Sequence, residues 1–280
     1  MTTTSTSSPI ITSGRVALVT GALGGIGRAI ALQLARRGFD LGLLDQSLPP
    51  DEFLEALREF SVRVHGLAVD VGEPDQVKAA TAELRTTLGP VLCLVNNAGL
   101  TANIAAVEQL DDAGWQRELA TNLSGPLYLA QAVLPDMISA GWGRIINVSS
   151  MAARRGLIRQ AGYAATKTAL LGLNRNLALE HACHGITSNA VLPGLIETPA
   201  VCQMPSMILN DVLSMVPARR LGQPEEVAAL IGFLCSDEAA FVNGAEIDIG
   251  GGAHLCPVIL GSQRLVAERQ SFARSGGHSQ

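Results

Sequence analysis

Charge is scarce in this chain. Only 16% of the 280 residues are charged, and the net charge is −5. No basic block interrupts that balance, which argues against a surface built to neutralise nucleic-acid phosphates. No apolar run approaches ~18 residues, so no membrane-crossing helix is expected. The five cysteines (Cys93, Cys183, Cys202, Cys235, Cys256) lack CxxC spacing. They read as reduced thiols of a cytoplasmic protein and not as a disulfide framework. Residues 1–13 lack the basic start and apolar core of a secretory signal, and their Thr- and Ser-rich composition reads as a disordered leader. His181 and His184 share a helix face beside Glu180, but no third ligand stands at suitable spacing, so no metal is expected.

What the chain has in quantity is apolar sequence, 48% of its residues. That suits a sheet buried on both faces. Strand-like runs cover 16–20, 41–45, 62–69, 91–96, 144–149, 187–192 and 245–249. Helical stretches lie between them near 25–37, 50–60, 74–88, 111–139, 162–184 and 224–235. Such alternation predicts an α/β fold of one domain, a doubly wound parallel sheet with helices on both faces. Two segments depart from the pattern: 197–221, and the tail after Gly252.

The first strand-like run opens into Thr20-Gly21-Ala22-Leu23-Gly24-Gly25-Ile26-Gly27, followed by helical spacing. A glycine turn between strand and helix lets the backbone approach a pyrophosphate, with the helix N-terminus supplying N–H donors. The next apolar run ends at Asp45, about 18 residues past the last glycine, where a dinucleotide fold places an acid on the adenosine ribose.

Tyr163 and Lys167 stand four apart, which puts them on one helix face. A phenol of pKa near ~10 is a poor acid–base group at neutral pH, and a neighbouring ammonium favours its phenolate. Ser150 lies thirteen positions before the tyrosine, at the end of a strand-like run. Ser149 is adjacent, but neighbouring strand residues face opposite ways.

The motifs Thr20-Gly21-x-x-x-Gly25-x-Gly27, Asn96-Asn97-Ala98-Gly99, Asn122, Ser150, Tyr163-x-x-x-Lys167 and Pro193-Gly194-x-x-x-Thr198 keep one order and spacing. In this the chain resembles the short-chain dehydrogenase/reductase family over residues 14–252. The resemblance implies a Rossmann fold with about seven strands in the order 3-2-1-4-5-6-7. It also implies a catalytic set of Asn122, Ser150, Tyr163 and Lys167. Tyr163 would be the acid–base group and Ser150 the donor to the substrate oxygen. Lys167 would lower the tyrosine pKa and hold the nicotinamide ribose, Tyr163 would contact the cofactor as well, and Asn122 would hold a water linking the lysine to solvent.

For the cofactor, the implied set is Gly21, Gly24, Gly25, Ile26 and Gly27 at the pyrophosphate and Asp45 at the ribose. Asp70 and Val71 flank the adenine, and Asn97, Ala98 and Gly99 line the adenosine side. Pro193, Gly194 and Ile196 stand near the nicotinamide ring, and Thr198 holds its amide. Asp45 would repel a 2′-phosphate, so NAD is expected. A small-molecule substrate and a homotetramer built on the two long helices are the implied partners.

The expected activity interconverts a secondary alcohol (polyol, sugar or cyclic alcohol) with its ketone. The alternative is a 3-oxoacyl-thioester reductase, whose sequences the chain also resembles. Carrier-protein reductases of the family often place basic residues where this chain has Gly141-Trp142 and Cys183-His184, which weakens a carrier-protein substrate. A third reading is a non-catalytic relative that keeps only the fold. Within the 14–253 domain, 197–221 is expected to be a methionine-rich lid, and 254–280 an extension whose first half packs on the body or on a neighbouring subunit. Arg154, Arg155 and Arg159 precede Tyr163 and suit either an acidic substrate or a solvent- or subunit-facing surface.

Overall fold

Along β1 (Val16–Thr20), Ala17 and Val19 enter one apolar layer while Val16 and Leu18 enter another. A strand with no polar face belongs inside a sheet covered on both sides. The computed structural model describes residues 14–255. In it, β1 is joined by β2 (Asp40–Asp45), β3 (Val64–Ala68), β4 (Val91–Asn96), β5 (Gly143–Val148), β6 (Ile186–Pro193) and β7 (Glu246–Ile249). All pairs are parallel, in the order β3-β2-β1-β4-β5-β6-β7. This is the expected doubly wound sheet.

Helices α1 (Gly25–Arg36), α2 (Asp51–Arg58) and α3 (Pro74–Thr87) link the first four strands. Between β4 and β5 run α4 (Asp112–Leu119), a π turn (Ala120–Ser124) and α5 (Gly125–Ala140). Then come α6 (Ala152–Arg155) and α7 (Ala161–His181) before β6, and α8 (Pro199–Cys202), α9 (Ser206–Met215) and α10 (Pro224–Leu234) before β7. One sheet face packs against α1 and α10 through Ile30, Leu34, Val227 and Ile231. The other packs against α3 and α5 through Val77, Leu84, Leu129 and Val133.

The helix expected over 111–139 is thus continuous from Asp112 to Ala140, with a π turn inserted part-way. The π turn holds Asn122, a residue whose side chain competes for backbone groups, and such insertions are frequent at functional sites. Within the core, Cys93 and Cys235 are free thiols with Sγ atoms 3.2 Å apart, and burial pushes the Cys235 thiol well up. No helix among the described residues is long and apolar enough to cross a membrane. Nor does any group of three or more His, Cys, Asp or Glu there suit a metal. The expected leader, and the expected extension from Cys256 onward, lie outside the described residues.

Candidate active site

The glycine turn closes because two of its glycines cannot carry a side chain. Gly21 takes φ 60°, and a Cβ there would stand 2.8 Å from Ala98 Cα. A Cβ on Gly27 would overlap the carbonyl of Gly21. Helix α1 then begins at N-cap Gly24, with no side-chain cap and no acid in its first turn. Its first N–H groups stay unclaimed by side chains and suit an anion.

Beyond this turn lies a cleft of about 560 Å³, lined by Gly21, Gly24, Gly25, Ile26 and Gly27. Asp45, Asp70 and Val71 line its far side, and Asn97, Ala98, Gly99 and Thr198 its near side. Leu23 of the same turn also lines it, as do Gln46, Leu100, Thr121, Pro199 and Ala200, none of which was among the expected cofactor residues. The Asp45 carboxylate accepts from Leu23 N and Gln46 N, both at 2.8 Å, so it is held at the loop. Asp70 accepts from Gly72 N at 2.9 Å. Asn97 Nδ2 donates to the carbonyls of Thr20 and Gly21 at 3.0 Å each. Asp45 and Asp70 are the only charged residues among the described residues lining the cleft, which holds no basic side chain. Arg28, just past the loop, donates instead to Leu23 O at 3.1 Å and stacks on Phe53. The open backbone, the bare helix end and the fixed carboxylate fit a dinucleotide.

Where the cleft reaches Gly99, a Cβ would lie 3.3 Å from Lys167 Nζ and 3.9 Å from Asn122 Oδ1. Lys167 is buried and donates to Val148 O at 2.8 Å. Burial holds its pKa down at about 8. Ser150 is hydrogen-bonded to the phenol of Tyr163. Ser149 faces the other way, donating to Lys167 O at 2.9 Å. The Tyr163 pKa is raised by burial and pulled back only by the Ser150 bond. The expected lowering by Lys167 is not among the influences on the phenol here. The ammonium sits 5.7 Å from the ring centroid and is spent on a carbonyl.

Asn122 is fully buried. Its amide donates to Leu100 O at 2.8 Å and Thr166 Oγ1 at 3.1 Å, while Oδ1 accepts from Leu100 N at 2.7 Å. Both amide hydrogens are therefore committed to protein. Five expected cofactor residues fall outside the cleft lining: Tyr163 and Lys167 on α7, and Pro193, Gly194 and Ile196. Pro193 O accepts from Met151 N at 3.0 Å, and Gly194 N donates to Ile249 O at 3.0 Å, so both stand beside Ser150 at the end of β6. Ile196 is buried in the core and lines a separate cavity of about 220 Å³; its side chain does not reach the cleft. The arginines also depart from an anion site. Arg154 pairs with Glu246 at 3.3 Å and Asp248 at 3.2 Å on β7, and Arg155 donates to Ala253 O. Both thus bond the β7 end of the chain. Arg159 is exposed.

Residues 21–254 match the family described as enoyl-(acyl carrier protein) reductase. A 3-oxoacyl-(acyl-carrier-protein) reductase of Pseudomonas aeruginosa is 41% identical over 243 residues, covering 86% of this chain and 98% of that protein. A cis-4-hydroxycyclohexanecarboxylate dehydrogenase of Sinomonas cyclohexanicum is 38% identical, covering 85% and 96%. A solved structure of levodione reductase superposes with a TM-score of 0.82 at 33% identity, covering 88% of this chain and 99% of the other. The chain belongs to the short-chain dehydrogenase/reductase family. It is an oxidoreductase that acts on CH–OH groups and binds a nicotinamide cofactor.

Proposed function

We propose that the protein is an NAD(H)-dependent oxidoreductase that interconverts a secondary alcohol and its ketone. The observation that carries this reading is the continuity of the cleft. It begins at an acid with no basic neighbour, Asp45, and ends at Gly99 against Lys167. A 2′-phosphate beside that carboxylate would meet repulsion and no cation. Turnover of NAD and NADP with the same alcohol tests this, and a higher kcat/KM with NADP would sink it.

When bound, the nicotinamide accepts or supplies the hydride. The chain's own residues then handle one proton and one oxygen. Tyr163 takes the proton from the alcohol or returns it to the alkoxide. Ser150, already bonded to the phenol, donates to the substrate oxygen as charge gathers there. Lys167 holds the cofactor ribose and supports phenolate once its ammonium turns from Val148 towards the cleft. Asn122 fixes Leu100 at the cleft wall, and any water it holds binds through an acceptor, since both its amide hydrogens are committed. Pro193, Gly194 and Thr198 bound the nicotinamide end.

A secondary alcohol (polyol, sugar or cyclic alcohol) is the substrate class we favour, with a thioester reductase as the second reading. The carrier-protein reductase of P. aeruginosa, alike over nearly its whole length, supports the second. Against a carrier protein stands the surface at Trp142, whose indole donates to Asp237 at 2.8 Å while Arg15 pairs with the same carboxylate. That patch offers a neutralised pair in place of free cations. Comparing acetoacetyl-CoA with cyclohexanol and polyols separates the readings. We further infer a homotetramer in the cytoplasm. Leu127 and Ile138 on α5 and Leu179 on α7 are exposed apolar side chains that neighbouring copies would cover; a monomer in light scattering at micromolar concentration would contradict it.

A further inference from the structure

Glu118 on α4 is 0% exposed. Its Oε1 accepts from the backbone of Ala102 at 2.7 Å and of Asn103 at 3.1 Å. Its Oε2 has no hydrogen-bond partner among the described residues. That oxygen rests against Gly162, where a Cβ would overlap it, and Gly162 immediately precedes Tyr163. A carboxylate buried with one oxygen unbonded is costly, and a hydrophobic side chain would fill the space more cheaply. The position beside the first turn of α7, whose N-cap Gln160 makes no side-chain bond, offsets part of that cost through the helix dipole. What the carboxylate does beyond that is hold backbone.

The backbone it holds is the segment 100–105. This segment leaves the cleft at Leu100, where Asn122 takes both its N–H and its carbonyl. It reaches the loop before α7 at Ala105, whose N–H donates to Arg159 O at 2.9 Å. Among the described residues, Glu118 and the Asn103–Asp111 pair tie it down between those anchors. The side chain of Ile104 is left 68% exposed. The segment therefore runs alongside the Gly162–Tyr163 turn, and Glu118 touches both.

We propose that Glu118 is a positioning residue that sets the wall formed by 101–104 against the Tyr163 end of α7, so that substrate fit depends on a carboxylate that contacts neither substrate nor cofactor. This rests on the reading of Tyr163 as the acid–base group. Two variants separate acceptor from bulk. Glu118→Gln keeps an acceptor oxygen of the same reach, and Glu118→Leu fills the volume without one.

The test measures steady-state turnover of cyclohexanol, NAD affinity by fluorescence titration, and amide hydrogen exchange at 102–103 in the ligand-free enzyme. In Glu118→Leu, exchange at 102–103 should rise about 10-fold, reflecting the lost acceptor. The KM should rise about 10-fold, as expected for a misplaced wall, while kcat and NAD affinity stay within about 3-fold. Glu118→Gln should restore both. Unchanged exchange in Glu118→Leu, or faster exchange with unchanged KM, overturns the proposal. So does a loss of NAD affinity equal to the rise in KM, which marks general damage. If Glu118→Leu does not fold, Glu118→Asp, which retracts the oxygens by one methylene, should show the same split on a smaller scale; an unchanged KM there overturns it too. A wild type inactive on cyclohexanol, polyols and acetoacetyl-CoA would count against the functional reading and, with it, this proposal, while exchange alone would still report whether Glu118 holds 102–103.

Discussion

Lys167 donates from Nζ to the main-chain carbonyl of Val148 at 2.8 Å, fastening α7 to the end of β5. Ser149, the next residue, returns a bond from Oγ to Lys167 O at 2.9 Å. The pair of bonds fixes where Tyr163 and Ser150 stand relative to each other. It also encloses an ammonium where water cannot solvate it, and burial lowers its pKa to about 8.

That burial has a stability consequence. Between the folded pKa of about 8 and the ordinary lysine value of 10.5, the unfolded chain binds more protons than the folded one. Stability contributed by this site therefore rises with pH across that window. Below it, the folded state carries the full cost of a buried charge, on the order of 3 kcal/mol. Lys167→Met, which removes the charge and keeps the length, should thus be stabilised relative to wild type most at pH 7 and least near pH 10. Urea unfolding of both proteins at the two pH values checks this; a pH-independent difference would refute it.

Tyr163→Phe removes the phenol oxygen and leaves the ring in place. The expected loss in kcat is at least ~10²-fold, the scale of a missing general acid–base. Affinity for NAD should be nearly unchanged, because Tyr163 does not line the dinucleotide cleft. Single-turnover rates and a fluorescence titration measure the two separately. Undiminished turnover would remove Tyr163 from the mechanism.

The strand-end residues were legible because their chemistry and spacing both speak. Asp45 closes a buried run at the right distance from Gly27, and parallel strands deliver such ends to one edge. The sheet order followed from the same motifs. Other features had no sequence signal. The π turn at Ala120–Ser124 differs from an α-helix only in hydrogen bonding, and Asn122 hinted at it without fixing its place. The i, i+4 spacing brought Lys167 near Tyr163 but could not report that burial and the Ser150 bond, and not the lysine's charge, set the shift of the phenol. Arg154 looked available for substrate because its partners Glu246 and Asp248 lie more than 90 residues on. Glu118, one helical turn before the catalytic-looking Asn122, carried no motif at all.

Cofactor choice should follow Asp45. Asp45→Ala with Gln46→Arg removes the repelling carboxylate and supplies a cation at a position that lines the cleft. The ratio of kcat/KM for NAD to that for NADP should fall at least ~100-fold, equivalent to about 3 kcal/mol of altered discrimination. The Asp45 bond to Leu23 N is lost as well, so some drop in total activity is expected. An unchanged ratio would mean that the adenosine ribose lies elsewhere.

Gly27→Ala should damage the fold and the cofactor site together. Its Cβ would overlap the carbonyl of Gly21 and lie 2.9 Å from Ala22 Cα, both backbone atoms that cannot swing aside. Overpacking of this kind costs about 1–3 kcal/mol. Weaker NAD binding should accompany the lower Tm, because the displaced turn lines the cleft that would take the pyrophosphate. A variant with wild-type Tm and affinity would show that the turn yields more easily than its geometry implies.

The segment after β6 carries the last prediction. It is anchored at one end by Glu197 N to Gly222 O at 2.8 Å and at the other by Ala218 N to Gly251 O at 3.1 Å. Between the anchors, α9 reads Ser-Met-Ile-Leu-Asn-Asp-Val-Leu-Ser-Met, and none of its residues is buried. Met207 is 73% exposed and Met215 60%. An apolar helix that half-buries Leu209, Val212 and Leu213 and leaves its methionines outside gains by covering something, and methionines adapt to irregular apolar surfaces. The start of α8, Pro199 and Ala200, already lines the cleft, which places the segment at the cleft's edge. Closure over bound cofactor and substrate would bury α9 and exclude water. Hydrogen exchange across 206–215 should therefore slow when NADH and a non-reactive alcohol analogue are added together, and less with NADH alone. Equal exchange in all three states would make α9 a fixed surface helix and leave the substrate uncovered on that side.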